Sequence, residues 1–86
     1  RWNMVNRVVV DGELESTVMD VANAIADNAP LTVATIKRST VEILKDPAKQ
    51  DIAACDAMVA ACFASNDYKE GRKAFLEKRK PQFTGT

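Results

Sequence analysis

The sequence predicts a mainly α fold: a short N-terminal strand followed by about four helices. Three observations lead there. Apolar residues recur at helical spacing in four windows, and each window is bounded by Pro, Asp-Gly or a cluster of capping residues. Hydrophobic residues make up 47% of the 86 residues but aromatics only 6%, so the apolar content is largely Ala, Val, Ile and Leu. That composition suits thin, closely packed helices better than a thick independent core. The one stretch with β character is Met4-Val5-Asn6-Arg7-Val8-Val9-Val10, dense in valine.

This strand lies close to the chain start at Arg1, and no partner strand follows it. The expectation is therefore of a chain cut from something longer. Asp11-Gly12 is a turn signal. From Glu13 to Asn28, the residues Leu14, Val18, Val21, Ala22 and Ile25 fall in the register of an amphipathic first helix. Glu13 and Glu15 sit in its first turn, where the helix dipole favours acids.

Asn28-Ala29-Pro30 breaks that helix and starts a second, since proline suits the first helical position. The second helix is expected over Pro30 to Lys45, with apolar residues on more than one face, and Asp46-Pro47 ends it. The third is expected over Ala48 to Ala64. Its stripe of Ile52, Cys55, Val59, Cys62 and Phe63 is filled out by alanines that allow close helix approach, which points to packing on several sides. Ser65, Asn66 and Asp67 are all good N-cap residues for a fourth helix reaching Arg79, with Tyr68, Arg72, Phe75 and Leu76 on one side. Pro81 stops it, leaving an extended or loose tail anchored only by Phe83. No repeat or flexible linker interrupts the chain, so residues 1–86 read as one unit.

Net charge is zero but unevenly spread. Lys69 to Lys80 holds six basic and two acidic residues, a local +4 set against −4 elsewhere. A basic segment on a neutral chain fits a local anion site. It argues against RNA binding, since the segment has few aromatics for stacking and matches no nucleic-acid module. No stretch approaches the roughly 20 apolar residues of a membrane span.

Chemistry-bearing clusters are sparse. With no histidine, neither a Ser-His-Asp set nor a Cys-His pair can form. Cys55 and Cys62, seven residues apart on one helix, would lie roughly 10 Å apart, too far for a disulfide. They read as small buried thiols, and two thiols without histidine make a poor zinc site. Glu13, Glu15, Asp20, Asp51 and Asp56 read as solvated faces and caps. No catalytic and no metal-ligating residue is assigned. The remaining feature is Phe75-Leu76-Glu77-Lys78-Arg79-Lys80-Pro81, which sets an aromatic three residues before a lysine. On one reading the cations complement the helix dipole and Phe75 joins the core. On the other, Phe75 lies against a ligand ring and Lys78 on its phosphate. The physics alone favours the first.

Three stretches, in order, resemble the C-terminal region of the enoyl-CoA hydratase/isomerase (crotonase) family. Trp2-Asn3-Met4-Val5-Asn6-Arg7-Val8-Val9 resembles the family's Gly-Leu-Val-Asn-x-Val strand. Ala26-Asp27-Asn28-Ala29-Pro30-Leu31, followed by Ala34-Thr35-Ile36-Lys37-Arg38, is similar to its Asn-Ala-Pro-Leu element and downstream lysine. Phe63-Ala64-Ser65-Asn66-Asp67, Glu70-Gly71 and Ala74 through Gly85 match in order and spacing over the longest run.

The resemblance implies the C-terminal helical region of a crotonase-like fold, following an N-terminal spiral of ββα units absent from these residues. That domain would supply an oxyanion hole and the acid/base carboxylates for an enolate-like intermediate of an acyl-CoA thioester. The helical region would cap the active site and build trimer or hexamer contacts. It implies Phe75 and Lys78 at the adenine and phosphate end of CoA, which shifts the weight to the second reading of that pair. It further implies no tightly bound cofactor, with coenzyme A entering as part of the substrate. The expected location is the cytoplasm, or the mitochondrial matrix in a eukaryote. By itself the 86-residue chain would be inactive. The competing reading is a stand-alone helical self-association module with a basic anion-binding segment.

Two departures bear on this. Asn3 stands where the family has glycine, and asparagine is the side chain best able to keep a left-handed turn. Gly71 inside a helix should cost about 1 kcal/mol against alanine. Either a close contact explains it, or a helix begins there.

Overall fold

A computed structural model describes residues 3–86. Its helices are α1 (Leu14–Ala26), α2 (Pro30–Ile43), α3 (Ile52–Ala64) and α4 (Asn66–Leu76), with short 3-10 turns at Asp11–Glu13 and Pro47–Lys49. All four helices fall inside the windows marked by the sequence, and their ends follow local chemistry. Pro30 opens α2. The third helix starts at Ile52 rather than Ala48, because Pro47–Lys49 tightens into its own turn and Asp51 then supplies the cap. The Asp51 carboxylate accepts the Ala54 amide at 3.0 Å. Ser65 is extended, with φ −76° and ψ 158°, and closes α3 while opening α4. Its hydroxyl accepts the Tyr68 amide at 3.0 Å.

The expected N-terminal strand is not present. Residues 4–10 carry no strand pairing, and among the described residues there is no strand. Val10 is extended, with φ −68° and ψ 153°, so the valines do favour the backbone shape. A strand also needs a neighbour to accept its ladder of hydrogen bonds, and no neighbour lies beside Met4, Val5 or Val8, which are largely exposed. Asn3 takes φ +54°, the left-handed turn anticipated for it. Trp2 lies outside the described residues.

The fourth helix ends at Leu76, earlier than Arg79. Lys78 turns left-handed with φ +54°. Its amide donates to the Phe75 carbonyl at 3.2 Å, and the Arg79 amide donates to the Ala74 carbonyl at 3.0 Å. These two bonds make a Schellman cap with lysine where glycine is usual. Lys78 is therefore beyond the helix and does not share a helical face with Phe75.

The helices lie in a plate 44 × 43 × 18 Å with a radius of gyration of 16.8 Å. A compact domain of this length has about 12 Å. Ala74 is the only buried apolar side chain among the described residues, while Thr35, Glu42, Ser65 and Asp67 are buried polar ones. The α1 stripe of Leu14, Val18, Val21 and Ile25 is at least half exposed. The alanine-rich α3 has no buried residue on any side.

The interior is held by polar ties instead. The Glu42 carboxylate, 1% exposed, joins α2 to the start of α3. It accepts from Arg38 Nε at 2.9 Å, Lys45 Nζ at 2.8 Å and the Asp51 amide at 2.8 Å. Lys45 first, then that amide, hold its carboxyl near a pKa of about 2 against the opposing effect of burial.

Candidate functional site

Helices α2, α3 and α4 and the tail enclose an open, mainly apolar groove of about 620 Å³. Ile36 of α2, Val59 and Phe63 of α3, Tyr68 and Phe75 of α4, and Phe83 of the tail form its walls. Tyr68 meets Phe63 edge-on, with ring centres 5.3 Å apart. The Arg72 guanidinium stands 5.9 Å above the Tyr68 ring and is the basic residue of the lining. In the wall, Thr35 donates to the Leu31 carbonyl and sits 3.3 Å from the Cys62 thiol. Cys55 and Cys62 are both free and half-buried.

Of the two residues singled out from the sequence, the structure places Phe75 at the groove and Lys78 outside its lining. Phe75 is 82% exposed within this chain, and its neighbour Leu76 is 78% exposed. Lys78 is exposed on the turn just past α4. The charge pattern around them is selective. Arg79 is engaged by Glu70 and Glu77, and Lys80 reaches Asp27 at 2.9 Å. Among the described residues no ion pair engages Lys69, Arg72, Lys73 or Lys78, so the exposed Phe75 has the unpaired Lys73 and Lys78 near it in sequence at the end of α4.

For the tail, expected to be extended or loose, the structure shows an irregular segment that is strapped down. The Asp67 carboxylate is buried in the first turn of α4 and accepts the amides of Thr84 and Gly85, each at 2.8 Å. The Asp67 amide donates to the Thr86 carbonyl at 3.1 Å. Glu70 accepts the Gln82 amide at 2.7 Å and grips Arg79 through both terminal guanidinium nitrogens, at 2.7 and 2.9 Å. An extended tail carries unpaired amides, and these two carboxylates satisfy those of Gln82, Thr84 and Gly85. Phe83 is thus one anchor of several. It packs on Gly71, which lies inside α4, so no helix begins there.

Glu42, Asp67, Glu70 and Arg72 had not been marked as site residues by the sequence. For Glu42 a signal was present: bases stand four residues before it and three after, the spacing of helical neighbours. Glu70 and Arg79 are nine apart and meet only because the chain reverses after Leu76. Arg79 first, then the Gln82 amide, hold the Glu70 carboxyl at a pKa of about 2. Both carboxylates stay ionised near neutral pH with their acceptor sites filled, which suits clamps and not proton shuttles. Among the described residues no three His, Cys, Asp or Glu side chains converge as a metal would need. Nor is any helix among them long and apolar enough to cross a membrane.

Comparison with known proteins adds a family. The family model described as enoyl-CoA hydratase/isomerase matches residues 1–86. The chain is 38% identical over 85 residues to methylmalonyl-CoA decarboxylase of Escherichia coli K12, covering 95% of this chain and 32% of that protein. It is 36% identical over 80 residues to enoyl-CoA hydratase EchA19 of Mycobacterium tuberculosis, covering 93% and 30%. The crystal structure of a probable enoyl-CoA hydratase/isomerase from Mycobacterium abscessus superposes with a TM-score of 0.80 at 37% identity, covering 95% of this chain and 32% of the other. The chain therefore spans about a third of the length of the relatives it matches.

Proposed function

Because the chain belongs to the enoyl-CoA hydratase/isomerase family, we propose that it forms the C-terminal helical region of an enzyme acting on acyl-CoA thioesters. In that enzyme the reaction runs through an enolate stabilised by an oxyanion hole, with both the hole and the acid/base groups supplied by residues outside this chain. Phe75 stacks on the adenine of CoA and Lys78 pairs with a phosphate at the same end. One observation carries this reading: Phe75 is 82% exposed, and Lys78, on the turn just past the same helix, is engaged by no ion pair among the described residues. An exposed ring and an uncommitted cation at one end of the helix suit a ligand that has a ring and a phosphate.

Relatives support a shared handle over a shared reaction. One matched protein is named as a decarboxylase and another as a hydratase, yet the same region aligns with both at similar identity. What this region recognises is thus the part their substrates hold in common. The enzyme is cytoplasmic in a bacterium, or in the mitochondrial matrix of a eukaryote. Its exposed α1 stripe and the exposed sides of α3 are covered by the rest of the enzyme and by trimer contacts.

The test is crotonyl-CoA hydration and CoA binding by the complete protein, beside the 86-residue chain and a Lys78→Ala version. Turnover by the complete protein alone, with KM raised by Lys78→Ala, supports the reading. CoA binding weakened by Lys78→Ala without hydration keeps the handle and moves the reaction to isomerisation, decarboxylation or hydrolysis. Neither turnover nor CoA binding would favour the second reading, a self-associating helical module. The surface of α3, whose one charged residue is Asp56, is the feature that favours that alternative.

A further inference from the structure

We propose, resting on the reading that Lys78 meets a CoA phosphate, that Glu70 is a positioning residue for that site: it clamps the left-handed turn that carries Lys78. A lysine at φ +54° is in a conformation that L side chains disfavour, so the surroundings must hold it there. Lys78's own side chain makes no hydrogen bond or ion pair among the described residues that could do so. The next residue is held instead. Arg79 is gripped by Glu70 through two parallel bonds of 2.7 and 2.9 Å, and by Glu77 at 2.6 Å. Glu70 reaches past the turn as well, accepting the Gln82 amide at 2.7 Å. Through its own helix this one carboxylate fixes the approach to the turn, and through Arg79 and Gln82 it fixes the exit.

The consequence is preorganisation. With the turn clamped, Lys78 leaves the chain at a set distance and direction from Phe75, so a ligand carrying a ring and a phosphate meets both groups without first ordering the loop. Without the clamp, the same residues are present but the lysine samples many positions. Glu70 touches no ligand in this scheme. Its side chain is 23% exposed and its oxygens are spent on Arg79 and Gln82.

The experiment uses the complete enzyme and titration calorimetry with coenzyme A, with kcat and KM measured on the acyl-CoA substrate. Four variants are compared: Glu70→Ala, Lys78→Ala, the double variant, and Arg79→Lys. The last keeps the charge but removes the paired geometry, and it carries the test if Glu70→Ala fails to fold. Glu70→Ala and Arg79→Lys are expected to raise Kd and KM roughly three- to tenfold while kcat holds, the effect of having to order a loop on binding. The double variant is expected to bind no worse than Lys78→Ala, because a clamp has nothing left to aim. If Lys78→Ala weakens binding and neither Glu70→Ala nor Arg79→Lys does, the positioning role is wrong and the phosphate reading stands. Additive losses in the double variant would also overturn it. If Lys78→Ala leaves Kd unchanged, the phosphate reading itself fails, and the positioning role with it.

Discussion

The ring of Phe83 lies against Gly71, its Cε1 3.6 Å from where a β-carbon on that residue would stand. That separation is ordinary van der Waals contact. The glycine is therefore not demanded by crowding, and Gly71→Ala should gain helix propensity without a clash. The expected outcome is a stabilisation of about 0.5–1 kcal/mol. Circular dichroism of the chain, with a urea titration of the complete enzyme, checks it; a loss of stability would show that the tail has no room to yield.

Lys78 combines a strained backbone with a proposed ligand contact, and two substitutions separate them. Lys78→Gly removes the side chain and suits the left-handed cap, so stability should rise by about 1 kcal/mol while CoA affinity falls. Lys78→Ala removes the charge but keeps most of the strain, so affinity should fall with no gain in stability. Thermal midpoints measured beside CoA Kd values check both. Equal midpoints for the two variants would mean that the cap carries no strain.

Asp67 holds the tail through three bonds to Thr84 and Gly85. Asp67→Ala leaves their amides unpaired and should cost about 2 kcal/mol. Limited proteolysis should then cut near Gln82–Gly85 well before the helices. An unchanged cleavage pattern would mean that Phe83 and the Glu70–Gln82 bond hold the tail without Asp67.

Acid should loosen two clamps together. The carboxyls of Glu42 and Glu70 are each lowered from 4.5 to about 2 in the folded chain. A folded-state value below the ordinary one means that the stability these groups contribute is present above pH 4.5 and is lost as pH falls towards about 2. Far-UV circular dichroism should stay flat from neutral pH to 4.5 and decline below it. Glu42→Gln should start less stable and lose less on acidification. A decline beginning well above the ordinary carboxylate range would point to another group.

Much of this molecule is legible in local chemistry. Pro30, Asp51 and Ser65 start helices for reasons contained within a few residues of each, and Asn3 keeps its left-handed turn because of its own short polar side chain. The family resemblance was equally readable, since the Phe63–Asp67 and Ala74–Gly85 stretches carry it in order. Phe75 could be picked out, but its exposure could not, because an aromatic at helical spacing reads as core until the rest of the packing is known.

Only the tertiary structure decided what depends on distant partners. The Met4–Val10 run has the residues of a strand, but a strand exists only when another backbone pairs with it. Glu70 meets Arg79 and Gln82 because the chain turns back after Leu76, and that reversal hangs on one left-handed lysine with no glycine to announce it. Capping and helix propensity act over a few residues and are written in the sequence. Strand pairing, exposure and the clamp on Lys78 arise between residues that only the folded chain brings together.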